Sequence, residues 1–368
     1  MLPGLRAQAL LVVLALSSPG LCAAQQPPAT APGSAPIAPS APIPTPPPSG
    51  PYVALLLPLN APEYAAPAEA VRQGCQAAQT HDPKLALQIV RTNARPDSIL
   101  AEYNALVARG ATVVVGPMTR TGVSALAARR EPGVPTVALN TPEREVHPPP
   151  WLYSFGLGIE GEARLVAHMA MGAKTKDAVV VRASTALAKR ASQAFADEWV
   201  LLGGRIVAAE EFGPSTELPQ MQQRLAGVEA SMTFLAADAT QARKVRPYLN
   251  NQMPVYGTSQ INDERSGLLV NQDLAGIRFV DMPWLVQPDH PAVMVYPRSN
   301  SLSVELQRFY ALGIDACRIA EQLVTHSERV RLDGVTGRIT LAADRVFQRE
   351  PVLAVIREGG ASALQDQR

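Results

Sequence analysis

From Tyr52 to Asp281 short apolar runs alternate with amphipathic stretches, and few folds accept that rhythm. YVALLLPL precedes a helical pattern over 62–79. A strand near 85–92 precedes a helix over 97–109, with Asp97 or Ser98 as its cap. TVVVG, a helix reaching Arg130 and TVALN follow. After Pro148-Pro149-Pro150 the rhythm restarts: helix 159–171, AVVVR, helix 186–202, RIVAAEEF, helix 219–225, MTFLA, helix 240–250, VYG and GIRFVD. Continuous β-branched runs such as TVVVG belong in parallel strands buried on both faces. The expected fold class is therefore α/β, with two Rossmann-like lobes built on parallel sheets. A long helix over 302–325, GVTGRITLA and PVLAVIRE are too few for a third unit. They finish the first two, so the chain crosses between lobes more than once and makes a multi-crossing hinge around a cleft. The expected division is 51–155 with 283–328, 156–282 with 329–360, and a tail over 361–368.

Ahead of this body, residues 1–24 carry one basic residue, Arg6, and an apolar run too short to span a bilayer. They are expected to be a secretory signal peptide, which makes the body an exported, periplasmic one. Cys22 is a candidate for lipidation, which would anchor the chain to the outer membrane. Leu21 spoils the preceding small-residue pattern, and cleavage after Ala24 fits the small-residue rule better. Residues 25–50 are dominated by Pro and Ala without charge, a composition that stays disordered. Extended as polyproline helix, that linker reaches roughly 80 Å. Cys75 and Cys317 remain in the body; an exported chain could pair them, yet each lies among apolar neighbours in a helical pattern. The expectation is two separate buried thiols.

The chain has 33 basic and 32 acidic residues without a clustered basic face, which argues against nucleic acid. Ligands of open α/β sheets lie beyond the carboxyl ends of the strands. That selects the loops carrying Thr119, Arg120 and Thr121, then Asn140 and Thr141, then Thr258, Ser259 and Asn262. Such hydroxyls, amides and helix N-termini can hold a small carboxylate. Their commoner use is to cap helices and line the interface between lobes.

The stretches VALLLPLN, VVVGPMTRTGVSALA, TVALNTPE, FGLGIEGEARLVAHMA, YGTSQIND, GIRFVDMPWLV, FYALGIDACRIAEQL and GVTGRITLAADRVFQREP occur in order over nearly all of the folded chain. With them the body resembles type I periplasmic binding proteins. More narrowly it resembles the LppC family, the C-terminal domain of lipoprotein activators of class A penicillin-binding proteins. The resemblance implies a non-enzymatic cell-envelope activator of peptidoglycan synthesis, with such a penicillin-binding protein as partner. The wider resemblance implies an alternative, a substrate-binding protein that delivers an amino acid or similar ligand to an ABC transporter. In such receptors the first two loops contact ligand, and Thr119, Thr121 and Thr141 match by position. Longer relatives carry a helical-repeat domain where this chain has its proline segment.

Enzymatic sites are harder to find. No serine is followed three residues later by lysine, and G-x-S-x-G is missing. His81, His147, His168, His290 and His326 show no metal-ligand spacing, so no metal is expected. GLGIEG, 156–161, spells a dinucleotide fingerprint, but the next strand ends in Arg182 instead of an acid, so no cofactor is expected. Glu210 and Glu211, adjacent on a strand, point to opposite faces. Trp284 is expected in the core.

Overall fold

Strand β1 (Tyr52–Leu57) is buried along its whole length, and its two faces serve two cores. Tyr52, Ala54 and Leu56 pack with Ile99, Tyr103, Leu106, Val123 and Leu126. Val53, Leu55 and Leu57 face Ala68, Val71, Ala311 and Ile314 on the other side. A strand sandwiched in this way needs an uninterrupted apolar run, because successive side chains alternate faces.

The structure is a computed structural model that describes residues 50–144, 147–172, 176–263, 272–298, 301–325, 330–357 and 360–364. The signal segment, Cys22, nearly all of the proline segment and His326 lie outside the described residues. After β1 come α1 (Pro62–His81), β2 (Ala86–Arg91), α2 (Pro96–Ala108), β3 (Val113–Val115), α3 (Arg120–Ala127), β4 (Thr136–Ala138) and β5 (Leu152–Ser154). These strands make a parallel sheet in the order β2-β1-β3-β4-β5. Helix α2 begins one residue before the expected start. Arg95 is its N-cap, without a side-chain cap, and Pro96 takes the first turn, where its missing N–H is not needed.

The second half runs α4 (Ile159–Ala170), β6 (Asp177–Ala183), α5 (Ala186–Leu201), β7 (Arg205–Phe212), α6 (Leu218–Leu225), β8 (Met232–Ala236), α7 (Ala239–Val245), β9 (Val255–Gly257) and β10 (Arg278–Asp281). Helix α7 is shorter than expected and tightens into a 3₁₀ turn over Arg246–Tyr248, where Pro247 has no N–H to give. Two short helices, α8 (Pro283–Val286) and α9 (Pro291–Met294), lead to α10 (Val304–Thr325). Strands β11 (Arg331–Gly334), β12 (Gly337–Leu341), β13 (Phe347–Glu350), β14 (Val352–Arg357) and β15 (Gly360–Ala363) end the fold. The second sheet has the order β15-β14-β10-β9-β8-β6-β7, with β14 and β15 antiparallel additions to a parallel centre.

Two late segments depart from expectation. GVTGRITLA does not extend either large sheet: β11, β12 and β13 form their own antiparallel sheet. This small sheet meets the first sheet at β5, through a bridge between Ser154 and Val346 and the Ser154 N–H donated to the Arg345 carbonyl. Residues 361–363, expected in a tail, instead pair with Ala354, Val355 and Ile356 in β15.

The cysteines also correct the sequence reading. Cys75 on α1 and Cys317 on α10 are joined in a disulfide, with Cα atoms 5.4 Å apart. Read singly, each helix shows only a buried cysteine. The crossing that joins them depends on Gly74 lying against the Tyr310 carbonyl and Gly313 against the Val71 carbonyl.

Candidate functional site at the junction of the sheets

The chain leaves the first sheet after β5, returns after β10 through α8 and α9, and leaves again between β13 and β14. Helix α10 packs on β1, β3 and β4 of the first sheet, as well as on α1. Its buried stripe includes two charged residues, Arg308 and Asp315.

The first two selected loops are tied to each other. Thr119 is the N-cap of α3 and accepts from the Gly122 N–H at 3.2 Å. Asn140 Nδ2 donates to the Met118 carbonyl at 3.1 Å, and Asn140 Oδ1 accepts from the Thr141 N–H at 3.0 Å. Arg120 Nη2 donates to the Pro142 carbonyl at 2.9 Å. Thr121 and Thr141 are exposed, although Thr121 Oγ1 also reaches Thr119 Oγ1 at 3.4 Å.

The third loop is turned inward. Thr258, Ser259 and Asn262 are all buried. Ser259 N–H donates to Glu162 Oε2 at 3.0 Å, and Asn262 Nδ2 donates to Asp281 Oδ2 at 2.9 Å. Arg308 reaches from α10 into the same place. Its Nη2 donates to Asp281 Oδ2 at 2.8 Å and to the Ser259 carbonyl at 2.9 Å, and its Nε donates to Asp281 Oδ1 at 3.3 Å. Asp281 Oδ1 also accepts from the Met282 N–H at 2.9 Å. Beside them Arg349 of β13 lies 3.8 Å from Glu162 and donates through Nε to the Gly156 carbonyl at 3.2 Å.

Burial raises the Glu162 carboxyl above its ordinary range, against the opposing pull of Arg349. Burial likewise lowers Arg349, with Glu162 opposing it. For Arg308 burial also acts downward, but the charge of Asp281 and the hydrogen bonds to it prevail and hold the guanidinium above its usual value. The arrangement binds the protein to itself: Ser259 and Asn262 of the third loop are bonded to Glu162, Asp281 and Arg308.

Sequence reasoning selected Thr258, Ser259 and Asn262 but missed Glu162, Asp281, Arg308 and Arg349. A signal was present for two of these. Glu162 falls on the buried stripe of α4 with Ile159, Ala163 and Val166, as Arg308 falls on that of α10. A charge at helical spacing within an apolar stripe needs a buried partner.

The remaining features are structural. Trp284 is fully buried against Tyr310, with the Arg298 guanidinium 4.8 Å from its ring centroid. Glu210 pairs with Arg224 of α6, whereas Glu211 pairs with Lys189 of α5 and with Arg182. GLGIEG spans the start of α4, where Gly158 is the N-cap. His168 pairs with Glu198 at 2.8 Å. Among the described residues no cluster of His, Cys, Asp and Glu could hold a metal, and no helix is long and apolar enough to cross a membrane.

Two large sheets, three crossings and a polar junction define a type I periplasmic-binding-protein-like body. A family profile described as "LppC putative lipoprotein" matches residues 49–359, and the chain belongs to that family. A Pantoea ananatis protein named penicillin-binding protein activator LpoA is 26% identical over 302 residues, which is 68% of this chain and 44% of that protein. The chain thus spans about half the length of the curated relatives it matches. A Chromobacterium violaceum structure described as a "putative branched-chain amino acid ABC transporter" superposes with a TM-score of 0.72 at 38% identity, covering 83% of this chain and 100% of that one. The LpoA C-domain from Haemophilus influenzae, described as a regulator of PBP1A, superposes with a TM-score of 0.72 at 20% identity, covering 85% and 100%; at that identity the likeness concerns the fold.

Proposed function

We propose that this body acts in the cell envelope as a non-enzymatic activator of a class A penicillin-binding protein. It would dock on that enzyme and favour its active conformation, a population shift driven by differential contacts. The observation that carries the reading is membership of the LppC family across 49–359, together with relatives named as activators of penicillin-binding proteins. The Cys75–Cys317 disulfide supports an exported, periplasmic location, since such bonds persist in oxidising compartments. An acyl anchor at Cys22 would place the body at the inner leaflet of the outer membrane, with 25–50 as its tether.

The test adds the purified chain to a class A penicillin-binding protein of the same organism. Glycan polymerisation and peptide crosslinking are then followed from lipid-linked precursor. A rise in either rate, lost when the body is denatured, is the expected result. Unchanged rates and no complex would overturn the reading.

A second reading, an amino-acid receptor for a transporter, is favoured by the 38% identity to the Chromobacterium chain, itself described as a putative branched-chain amino acid transporter. In that case Thr119, Arg120, Thr121, Asn140 and Thr141 would supply the contacts. Ligand that binds only the folded state raises its melting temperature. A thermal shift with an amino acid, reduced in Thr121→Val or Thr141→Val, would therefore support it.

A further inference from the structure

We propose that Glu162, Asp281, Arg308 and Arg349 form a lock that holds the two large sheets in one arrangement without a small molecule between them. A receptor of this architecture closes its hinge because a ligand supplies polar contacts that the open form lacks. Here the protein supplies them itself. Arg308 stands on the helix that covers the first sheet, and its guanidinium is taken up by the Asp281 carboxylate and the Ser259 carbonyl at the ends of β10 and β9. Arg349 stands on the small sheet that bridges to β5, and it faces Glu162 on α4 while holding the Gly156 carbonyl of the first crossing.

The chemistry explains why the lock holds. Two cations and two carboxylates balance, and their side chains are at most 10% exposed. Opening the sheets would separate Arg308 from Asp281 and leave the carboxylate with the Asn262 amide, the Met282 N–H and water in place of its cation. A buried pair of this kind adds little net stability compared with an apolar pair, but losing one partner is costly. Its effect is to select one arrangement over its neighbours. The body is thereby a rigid piece that presents a fixed surface.

The test measures the distance between spin labels carried on unnatural ketone side chains at Ala101 of α2 and Gln223 of α6, both exposed, in the full chain. One narrow distance distribution is expected, unchanged by an equimolar mixture of the common amino acids. Arg308→Met should broaden it. In the same variant hydrogen-exchange protection of the Ser259 and Met282 amides should fall on the order of 100-fold. Arg338→Met, at an exposed pair with Glu350, should change neither readout. Where Arg308→Met fails to fold, Arg349→Met takes its place, with protection read at Ser259. Two populations in the wild-type chain, or a shift on adding amino acids, would overturn the lock. So would a folded lock variant that keeps both the narrow distribution and the protection.

Discussion

Cys75 and Cys317, 242 positions apart in sequence, are joined by a disulfide between α1 and α10, two long helices that both pack on the first sheet. The bond closes most of the body into one loop, leaving β1 and β11–β15 outside it. A crosslink of this span removes many conformations from the unfolded chain, and the loss grows slowly with loop length.

Reduction should therefore destabilise the body by about 3–5 kcal/mol. Urea denaturation with and without reductant measures this, and the Cys75→Ala/Cys317→Ala variant should match the reduced protein. Equal midpoints in all three samples would show that the crosslink contributes nothing to folding.

Beside that bond the helices approach too closely for a side chain. A Cβ on Gly74 would lie 1.9 Å from the Tyr310 carbonyl oxygen, and one on Gly313 would lie 2.1 Å from that of Val71. Gly74→Ala should force α1 and α10 apart and cost about 2–3 kcal/mol. Gly161→Ala, in the first turn of α4 with nothing within 4 Å, should instead gain about 0.5–1 kcal/mol. Thermal unfolding of the two alanine variants should shift in opposite directions.

The contrast between these glycines shows what the sequence could and could not convey. Strands such as RIVAAEEF, MTFLA and VYG were legible because their apolar runs end at polar or turn residues, and the alternation with helices fixed the fold class. Helix-to-helix distance leaves no such local trace. Gly74 and Gly313 look ordinary within their own helices, so nothing local marks the disulfide between their neighbours, and the sequence reads as two separate thiols. The candidate site was legible by halves. Strand ends located Ser259 and Asn262, but their partners Glu162 and Arg308 come from 97 and 49 residues away. Only tertiary packing brings them together.

Asp315 is a second buried charge on α10, and it holds a turn. It accepts from the Val335 N–H at 3.2 Å and from the Thr336 N–H and hydroxyl at 2.8 and 2.7 Å, and it pairs with Arg318 at 3.1 Å. Asp315→Asn keeps the shape but turns an NH₂ toward donors. The expected loss is about 2–4 kcal/mol. Denaturation should show it, accompanied by faster exchange of the Thr336 amide; an unchanged midpoint would mean the turn holds itself.

Glu321, about one turn before the end of α10, gives the body a measurable pH dependence. Burial pushes its carboxyl up to about 7 from 4.5, with Lys84 pulling it down and Asp82 pushing it further up. Between those values the folded form keeps a proton that the unfolded chain has released, so stability falls as pH rises. The loss is complete above about 7 and absent below 4.5. Half-exposed, the group is screened by solvent, so the effect is a slope and not a collapse. Glu321→Gln, neutral at every pH, should melt higher than the wild type at pH 8 by more than it does at pH 5. The buried carboxyls of Glu162 and Asp315, also raised by burial, keep their own share of the slope in both proteins. Parallel melting-temperature profiles for the two proteins from pH 5 to pH 8 would remove Glu321 as a source of that dependence.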